Sequence, residues 1–250
     1  MRISVELTPR TAEGLEADLA LVAQTCPQAS AINIPDLARF AVRSWSGCVA
    51  AKKRFAHAIP HIRAWELAPD VAPPMCDLLL AHGIDEVLVV TGDPAADGAA
   101  AQSTALQAIS AFKKAMPNAR IYAALDPYRA GFRQELDYVA AKVDVGADGF
   151  FTQPFFDLRL MTLFAEMMHD QTVFWGVSPV TSEKSQAYWE RVNKVVFPRD
   201  FTPTVEWNIN FAHQALDLAE QAGGHVYLMP IRIDLATYLT GVFERSQDHA

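Results

Sequence analysis

The chain has 250 residues, of which 51% are hydrophobic and 20% are charged, and its formal net charge is −8. This length and composition are sufficient for the large core of one α/β barrel. The negative charge excludes a general nucleic-acid binder, which needs a basic face. No apolar run approaches the roughly 20 residues that span a bilayer. The three cysteines form no C-x-x-C pair, so we expect a cytoplasmic protein with neither disulfides nor a metal site.

Short apolar, β-rich runs alternate with amphipathic helical segments along the whole chain. The helical segments include 11–24, 105–116 and 132–143, where apolar residues recur at three- and four-residue intervals. This alternation predicts parallel strands joined by right-handed crossovers, and eight such units predict one (β/α)8 TIM barrel over residues 1–250. The predicted strands cover 3–7, 30–34, 60–65, 86–91, 120–125, 148–153, 172–177 and 225–229.

Polar side chains lie within or closely follow the ends of these predicted strands. In such barrels the chemistry takes place at the C-terminal ends of the strands. A barrel rim has no structural need for several carboxylates, an imidazole and amides together, so the set predicts a functional site. Its members are Glu6, Asn33, His61, Asp93, Asp126, Gln153, Ser178 and Arg232.

Three other segments are interpreted as structural. Methionine and phenylalanine at helical spacing in 164–170 indicate core packing, and the basic segment 51–58 indicates a solvated helix face. The segment 186–192 predicts a helix that packs on the barrel. An exposed Trp189 in that helix would be a candidate oligomer contact.

Five stretches point to a known family. They are SVELTPR (4–10), PHIRA (60–64), VTGDP (90–94), KVDVGADGFFTQPFFD (142–157) and GVSPVTS (176–182). Their order and approximate spacing resemble those of methylenetetrahydrofolate reductases, and the resemblance covers nearly the whole chain. It implies a (β/α)8 barrel, in agreement with the strand count.

The resemblance also implies a reaction, the reduction of 5,10-methylenetetrahydrofolate to 5-methyltetrahydrofolate with NADH or NADPH, usually through bound FAD. Glu6 matches the family's general acid, which would protonate the leaving nitrogen of the folate. Asp93 matches an aspartate close to both flavin and pterin. Gln153 matches the glutamine that binds the pterin ring, whose edge needs a group that both donates and accepts hydrogen bonds.

The residues implied around FAD are less well retained. Thr91 replaces the family's usual arginine, and Leu125 occupies the approximate place of a tyrosine that contacts the flavin. An arginine lost from a phosphate site removes a bidentate contact. The sequence therefore predicts FAD that binds weakly or not at all. The implied cofactor positions are Asn33, His61, Asp93, Leu125 and Lys142.

Two alternatives stay open at this stage. The replacements at the positions implied around FAD are compatible with a reductase in which NADH or NADPH gives hydride to the folate directly. Glu183 and Ile231, which replace an aromatic residue and an arginine of the family pattern, are compatible with a folate-binding relative that does not turn over or that needs a partner subunit. In every case we expect a folate ligand, with no nucleic-acid or membrane partner, and a homo-oligomer is compatible with the sequence.

Overall fold

The computed structural model describes residues 1–37, 39–92 and 101–244. Eight parallel strands close into a barrel in chain order, which confirms the predicted (β/α)8 fold. Each strand pairs with its two neighbours in sequence, and β8 pairs with β1 to close the ring. The strands are β1 (Ile3–Glu6), β2 (Ala31–Ile34), β3 (His57–Arg63), β4 (Glu86–Val90), β5 (Arg120–Leu125), β6 (Gly149–Pro154), β7 (Val173–Val177) and β8 (His225–Leu228).

Helices surround the barrel, and most begin at a side chain that can accept a hydrogen bond from the first turn. Thr104 and Gln107 form a reciprocal capping box at the start of one helix. No helix in the described ranges is long and apolar enough to cross a membrane. The helices are α1 (Ala12–Thr25), α2 (Ser44–Lys52), α3 (Cys76–Ala81), α4 (Ala105–Ala115), α5 (Phe132–Asp144), α6 (Leu158–Met167), α7 (Glu183–Val192), α8 (Val205–Gln221) and α9 (Leu235–Phe243).

The third strand differs most from its prediction. The sequence predicts a strand at 60–65 after a helix over 51–58, whereas α2 ends at Lys52 and β3 already begins at His57. Proline donates no backbone hydrogen bond and is therefore usually confined to the first residue of a strand, to an edge strand or to a bulge. In the structure Pro60 pairs with Ile34 in the middle of β3. The prediction of a solvated helix face over 51–58 was therefore wrong beyond Lys52.

The barrel interior is filled mainly by aromatic rings. The rings of Phe151 and Phe174 stack at 4.1 Å between centroids, and Tyr122 meets both edge-on. Ile59 and Leu88 fill the space beside them. Because alternate residues of a strand point to opposite faces, the neighbours of these residues along each strand face the surrounding helices instead.

A larger apolar layer separates the strands from the helices and includes the three buried, free cysteines. Phe164 and Met168 are buried here, which confirms that the segment 164–170 packs in the core. Trp189 on α7 is also buried, against Phe156. The helix packs on the barrel as predicted, but the idea of an exposed Trp189 as an oligomer contact was wrong because its ring is covered by this cluster.

The N-terminal end of the barrel is closed by a buried carboxylate, Glu86 of β4. Both of its oxygens accept hydrogen bonds from the Arg2 guanidinium, at 2.8 and 2.9 Å. The Tyr122 hydroxyl donates to Glu86 Oε1 at 2.8 Å, and His57 Nδ1 lies 2.8 Å from Oε2. These contacts tie β3, β4, β5 and the start of β1 together at the end of the barrel opposite the predicted site.

Candidate active site at the barrel mouth

Glu6 is the last residue of β1, and its carboxylate is partly buried at the C-terminal mouth of the barrel. The hydroxyl of Tyr227 on β8 donates a hydrogen bond to Glu6 Oε2. Burial raises the pKa of Glu6 to about 7, and the Tyr227 hydrogen bond opposes that rise. A carboxyl group with a pKa near neutrality can supply a proton to a bound ligand at physiological pH.

Asn33 and His61 are joined in a chain of buried polar groups that crosses three strands. Ser4 Oγ of β1 donates to Asn33 Oδ1, and Asn33 Nδ2 lies 3.1 Å from His61 Nε2. Burial lowers the pKa of His61 to about 3, so its ring is neutral at physiological pH. An amide nitrogen can only donate, so Nε2 accepts and Nδ1 carries the proton. Asn33 pairs with Glu6 in the strand register, so the chain lies beside the carboxylate.

Gln153 occupies the C-terminal end of β6, where the pairing with β7 is irregular. The register shifts between Phe151 and Pro154, and Thr152 Oγ1 accepts a hydrogen bond from Gly176 N at 2.8 Å. Such bulges are common at barrel rims, where they redirect a side chain. Gln153 is half-buried, and no described residue forms a hydrogen bond with its amide. As far as the described residues go, the amide is available to a ligand.

Leu125 and Lys142 lie away from the barrel interior. Leu125 is fully buried in the layer between the strands and the helices. Lys142 on α5 donates to the carbonyl of Ala124 at 2.6 Å and packs over the ring of Tyr138. Burial lowers the pKa of Lys142 to about 8. Neither side chain joins Asn33 and His61 inside the barrel.

The four other predicted rim residues are Asp126, Ser178, Arg232 and Asp93. Asp126 accepts a hydrogen bond from Tyr128 N, and Ser178 donates to the carbonyl of Met229, so both organise backbone. Arg232 adopts a left-handed backbone conformation with φ of 55°. Asp93 lies outside the described residues.

Tyr227 is a site residue that the sequence analysis missed. Its ring is buried among apolar side chains. Its hydroxyl reaches Glu6 only because β8 pairs with β1. The available signal was alternation in the predicted strand 225–229, which places the side chain of residue 227 on one face with those of residues 225 and 229.

Comparison with known proteins assigns the family. Residues 46–216 match the family model described as methylenetetrahydrofolate reductase. The chain belongs to the methylenetetrahydrofolate reductase family. A comparison with curated protein sequences gave no match.

Solved structures share the barrel at low sequence identity. A protein from Clostridium thermocellum, described as binding two copies of 5-methyl-5,6,7,8-tetrahydrofolic acid, has a TM-score of 0.66 and 13% identity over 96% of this chain and 94% of its own. A 2,3-dimethylmalate lyase has a TM-score of 0.57 and 13% identity over 92% of this chain and 75% of its own. Xanthomonas albilineans dihydropteroate synthase has a TM-score of 0.52 and 14% identity over 96% and 90%. These likenesses show the fold.

The family usually uses FAD, but the described positions that the resemblance implies around FAD do not come together as one flavin site. Of the four described positions implied around FAD, only Asn33 and His61 face the barrel interior, and their polar atoms bond to each other. Leu125 and Lys142 face the helices, where Lys142 is already bonded to backbone.

A separate cleft of about 490 Å³ opens beside the N-terminus of α6. Phe156, Trp207 and Phe211 form its aromatic part, and Arg159 and Arg199 lie at its edge. None of Glu6, Asn33, His61 or Gln153 lines this cleft, so it is distinct from the candidate site.

Proposed function

We propose that this chain reduces 5,10-methylenetetrahydrofolate to 5-methyltetrahydrofolate, with NADH or NADPH as the source of hydride and Glu6 as the proton donor. The observation that carries the proposal is a carboxyl group at the barrel mouth whose pKa is raised to about 7. The proposed ring opening needs an acid that is protonated near neutral pH, and the raised pKa of Glu6 supports that role.

The proposed reaction balances through one proton and one hydride. The protonated Glu6 gives its proton to N10 of the folate, and the bond between N10 and the methylene carbon breaks. The electrons of that bond stay on N10, which leaves an N5 iminium. Hydride from C4 of the nicotinamide then reduces the iminium to the N5 methyl group, and NAD(P)⁺ is released. Glu6 regains a proton from solvent.

The remaining mouth residues bind and orient in this proposal. The free amide of Gln153 would pair with the pterin edge, because it offers both a donor and an acceptor. The neutral ring of His61, held by Asn33, would present a polar but uncharged wall to the ligand. A neutral wall would not stabilise the carboxylate form of Glu6 and so would leave its proton available. The role of Asp93 at flavin and pterin stays a prediction.

Direct hydride transfer from the nicotinamide to the folate is the route that we propose. Its support is the placement of Leu125 and Lys142 outside the barrel interior. The absorption spectrum of the purified protein distinguishes the two routes. We expect no flavin bands, and NAD(P)H-dependent turnover that is unchanged when FAD is added. Bound flavin, or turnover that requires added FAD, would contradict the direct route and favour the flavin-dependent one.

The test of Glu6 is the variant Glu6→Gln, with Glu16→Gln on the exposed surface of α1 as its matched control. We expect turnover to fall by about 10²- to 10⁴-fold, the usual contribution of general acid catalysis, while the affinity for 5-methyltetrahydrofolate changes little. Glu16→Gln should retain full turnover. Wild-type turnover in Glu6→Gln would show that this residue is not the proton donor.

A second candidate is a folate-binding relative without turnover of its own. It is favoured by the C. thermocellum protein, which is described by what it binds. Tight binding of 5-methyltetrahydrofolate with no reduction by either NADH or NADPH, with or without FAD, would support this candidate. A homo-oligomer or a partner subunit stays a prediction, and turnover that appears only on adding a second protein would support it.

A further inference from the structure

Two arginines at the barrel mouth share one aromatic ring. Arg10 follows β1 and Arg39 follows β2, so both lie at the same end of the barrel as Glu6. Their guanidinium groups lie 5.7 and 5.0 Å from the centre of the Phe40 ring. Both side chains are exposed, and Phe40 is half-buried beneath them. Such contacts hold a cation in place without neutralising it.

The acidic residues near this pair are already bound by other arginines. Asp36 accepts two hydrogen bonds from Arg43, at 2.8 and 2.6 Å, and Glu66 accepts one at 3.0 Å. Arg63 forms an ion pair with Glu66, and its Nε lies 3.6 Å from Asp36. Arg10 and Arg39 have no carboxylate partner in the described part of the chain. Within the described residues, two positive charges without a carboxylate partner therefore stand at the mouth of a protein whose net charge is −8.

The segment after β2 is held in shape by buried contacts. Asp36 is buried, and its bidentate pair with Arg43 joins the beginning and the end of the segment. The Phe40 N–H donates to the carbonyl of Leu37 at 2.8 Å, and Ser44 Oγ donates to the carbonyl of His61 at 2.7 Å. The backbone that carries Phe40 is thus tied to the start of α2 and to β3. Each guanidinium contacts the Phe40 ring, and this contact restricts the side chain before an anion binds, which reduces the entropic cost of binding.

We propose that Arg10, Phe40 and Arg39 form a subsite for the anionic end of a substrate bound at the barrel mouth. The guanidinium fork matches the oxygens of both phosphates and carboxylates. The proposed function offers two sources of this chemistry: the phosphates of NADH or NADPH, and the glutamate carboxylates of the folate. The subsite rests on that function, because both sources are its substrates.

The test compares the wild type with the double variant Arg10→Gln/Arg39→Gln by equilibrium binding, followed through tryptophan fluorescence. Four probes are used: 5-methyltetrahydrofolate, its triglutamate form, NADH and NADPH. We expect the double variant to raise the dissociation constant about 10- to 100-fold for either the dinucleotides or the folates, as loss of charge-assisted hydrogen bonds predicts. A loss of affinity confined to NADH and NADPH would show that the subsite binds the dinucleotide phosphates. If the wild type binds the triglutamate form more tightly than 5-methyltetrahydrofolate and the double variant does not, the subsite binds the glutamate carboxylates of the folate.

The matched control is Arg54→Gln, an exposed arginine in the turn that enters β3, which changes the net charge at another place. It should leave all four dissociation constants within about twofold. Added salt should weaken the wild type more than the double variant, because exposed charges are screened. If the wild type binds probes and the double variant binds them equally well, the subsite is wrong but the proposed function stands. If the wild type binds no probe, both fail.

Discussion

Glu6 and His61 lie in the same barrel mouth, and burial moves their pKa values in opposite directions. The pKa of Glu6 rises to about 7, whereas the pKa of His61 falls to about 3. One physical cause explains both shifts, because a low-dielectric site disfavours whichever form carries the charge. Between these two values both groups are predominantly neutral. The mouth can therefore accept a polar ring without placing a fixed charge against it, and it keeps one transferable proton.

The hydrogen bond from Tyr227 is expected to set the pH dependence of turnover. It lowers the pKa of Glu6, so Tyr227→Phe should raise that pKa further and move the alkaline limb of kcat/KM from about pH 7 upward by about 0.5 to 1 unit. The matched control is Tyr238→Phe on α9, where the hydroxyl has no hydrogen-bond partner among the described residues. The alkaline limb of kcat/KM should not move in Tyr238→Phe. If the alkaline limb of the kcat/KM profile stayed unchanged in Tyr227→Phe, the group that titrates there would not be Glu6.

Glu6 is also expected to lower the stability of the protein at alkaline pH. Its pKa is about 7 in the folded state against 4.5 ordinarily, so the folded state binds more protons between these values and stability falls as pH rises through 7. Glu6→Gln removes this cost. We expect its free energy of unfolding to exceed that of the wild type by about 1 to 3 kcal/mol at pH 8, and to match it near pH 4. Urea denaturation at the two pH values is the measurement. A variant less stable at pH 8 would contradict the shift.

At the scale of the element, the end of β6 depends on a close approach between backbones. A Cβ atom at Gly176 of β7 would lie 2.6 Å from the Thr152 carbonyl oxygen and 2.9 Å from that of Gln153. Backbone oxygens cannot move aside cheaply, so this glycine allows the bulge that presents the Gln153 amide. The strand pair thus positions the Gln153 amide, our proposed pterin contact, through a residue that has no side chain.

Gly176→Ala should therefore damage both folding and binding. We expect a loss of about 1 to 3 kcal/mol in the free energy of unfolding, typical of overpacking, and weaker binding of 5-methyltetrahydrofolate by the remaining folded protein. Gly131→Ala is the matched control, because nothing lies within 4 Å of its added Cβ and its φ is −64°. That variant should stay within about 1 kcal/mol of the wild type. Unchanged affinity in Gly176→Ala would mean that the bulge does not position Gln153 for this ligand.

At the scale of the whole molecule, the two ends of the barrel have different tasks. The mouth carries Glu6, our proposed proton donor, and the Gln153 amide, whereas the opposite end is closed by Glu86 and its partners. Burial alone would raise the pKa of Glu86, but the hydrogen bonds and charge of Arg2, the Tyr122 hydroxyl and the charge of His57 bring it below its ordinary value. The stability that this carboxylate contributes is present above about pH 4.5 and is lost as pH falls through its folded-state pKa.

Glu86→Gln should destabilise the barrel without altering its mouth. Breaking a buried ion pair commonly costs about 3 to 5 kcal/mol, and we expect about 2 to 4 kcal/mol at pH 7 because Arg2 keeps some contact with solvent. The variant should also lose less stability than the wild type below pH 4.5. Urea denaturation gives both values, with Glu16→Gln as a surface control that should cost less than about 1 kcal/mol. A folded Glu86→Gln that no longer binds 5-methyltetrahydrofolate would show that the two ends are coupled.

The sequence by itself determined the barrel and most of its rim. Eight apolar runs at regular intervals can bury their alternate faces only against each other and against helices, so the strand count fixed the architecture. It also placed Glu6, Asn33, His61 and Gln153 at one end of the barrel, because parallel strands all end on the same side. The boundary of β3 was the exception, since Pro60 weakens the local signal in a strand that pairing with β2 extends back to His57.

Only the tertiary structure decided which of these residues meet and how they ionise. The contact between Glu6 and Tyr227 spans 221 residues of sequence and exists because β8 closes on β1. The resemblance places Leu125 and Lys142 at positions implied around FAD, but strand alternation and the path of α5 turn both side chains towards the helices. Burial, which shifts the pKa of Glu6 to about 7 and that of His61 to about 3, is a property of the packed barrel. A linear pattern records residue types and spacing, whereas desolvation depends on what the whole fold places around each group.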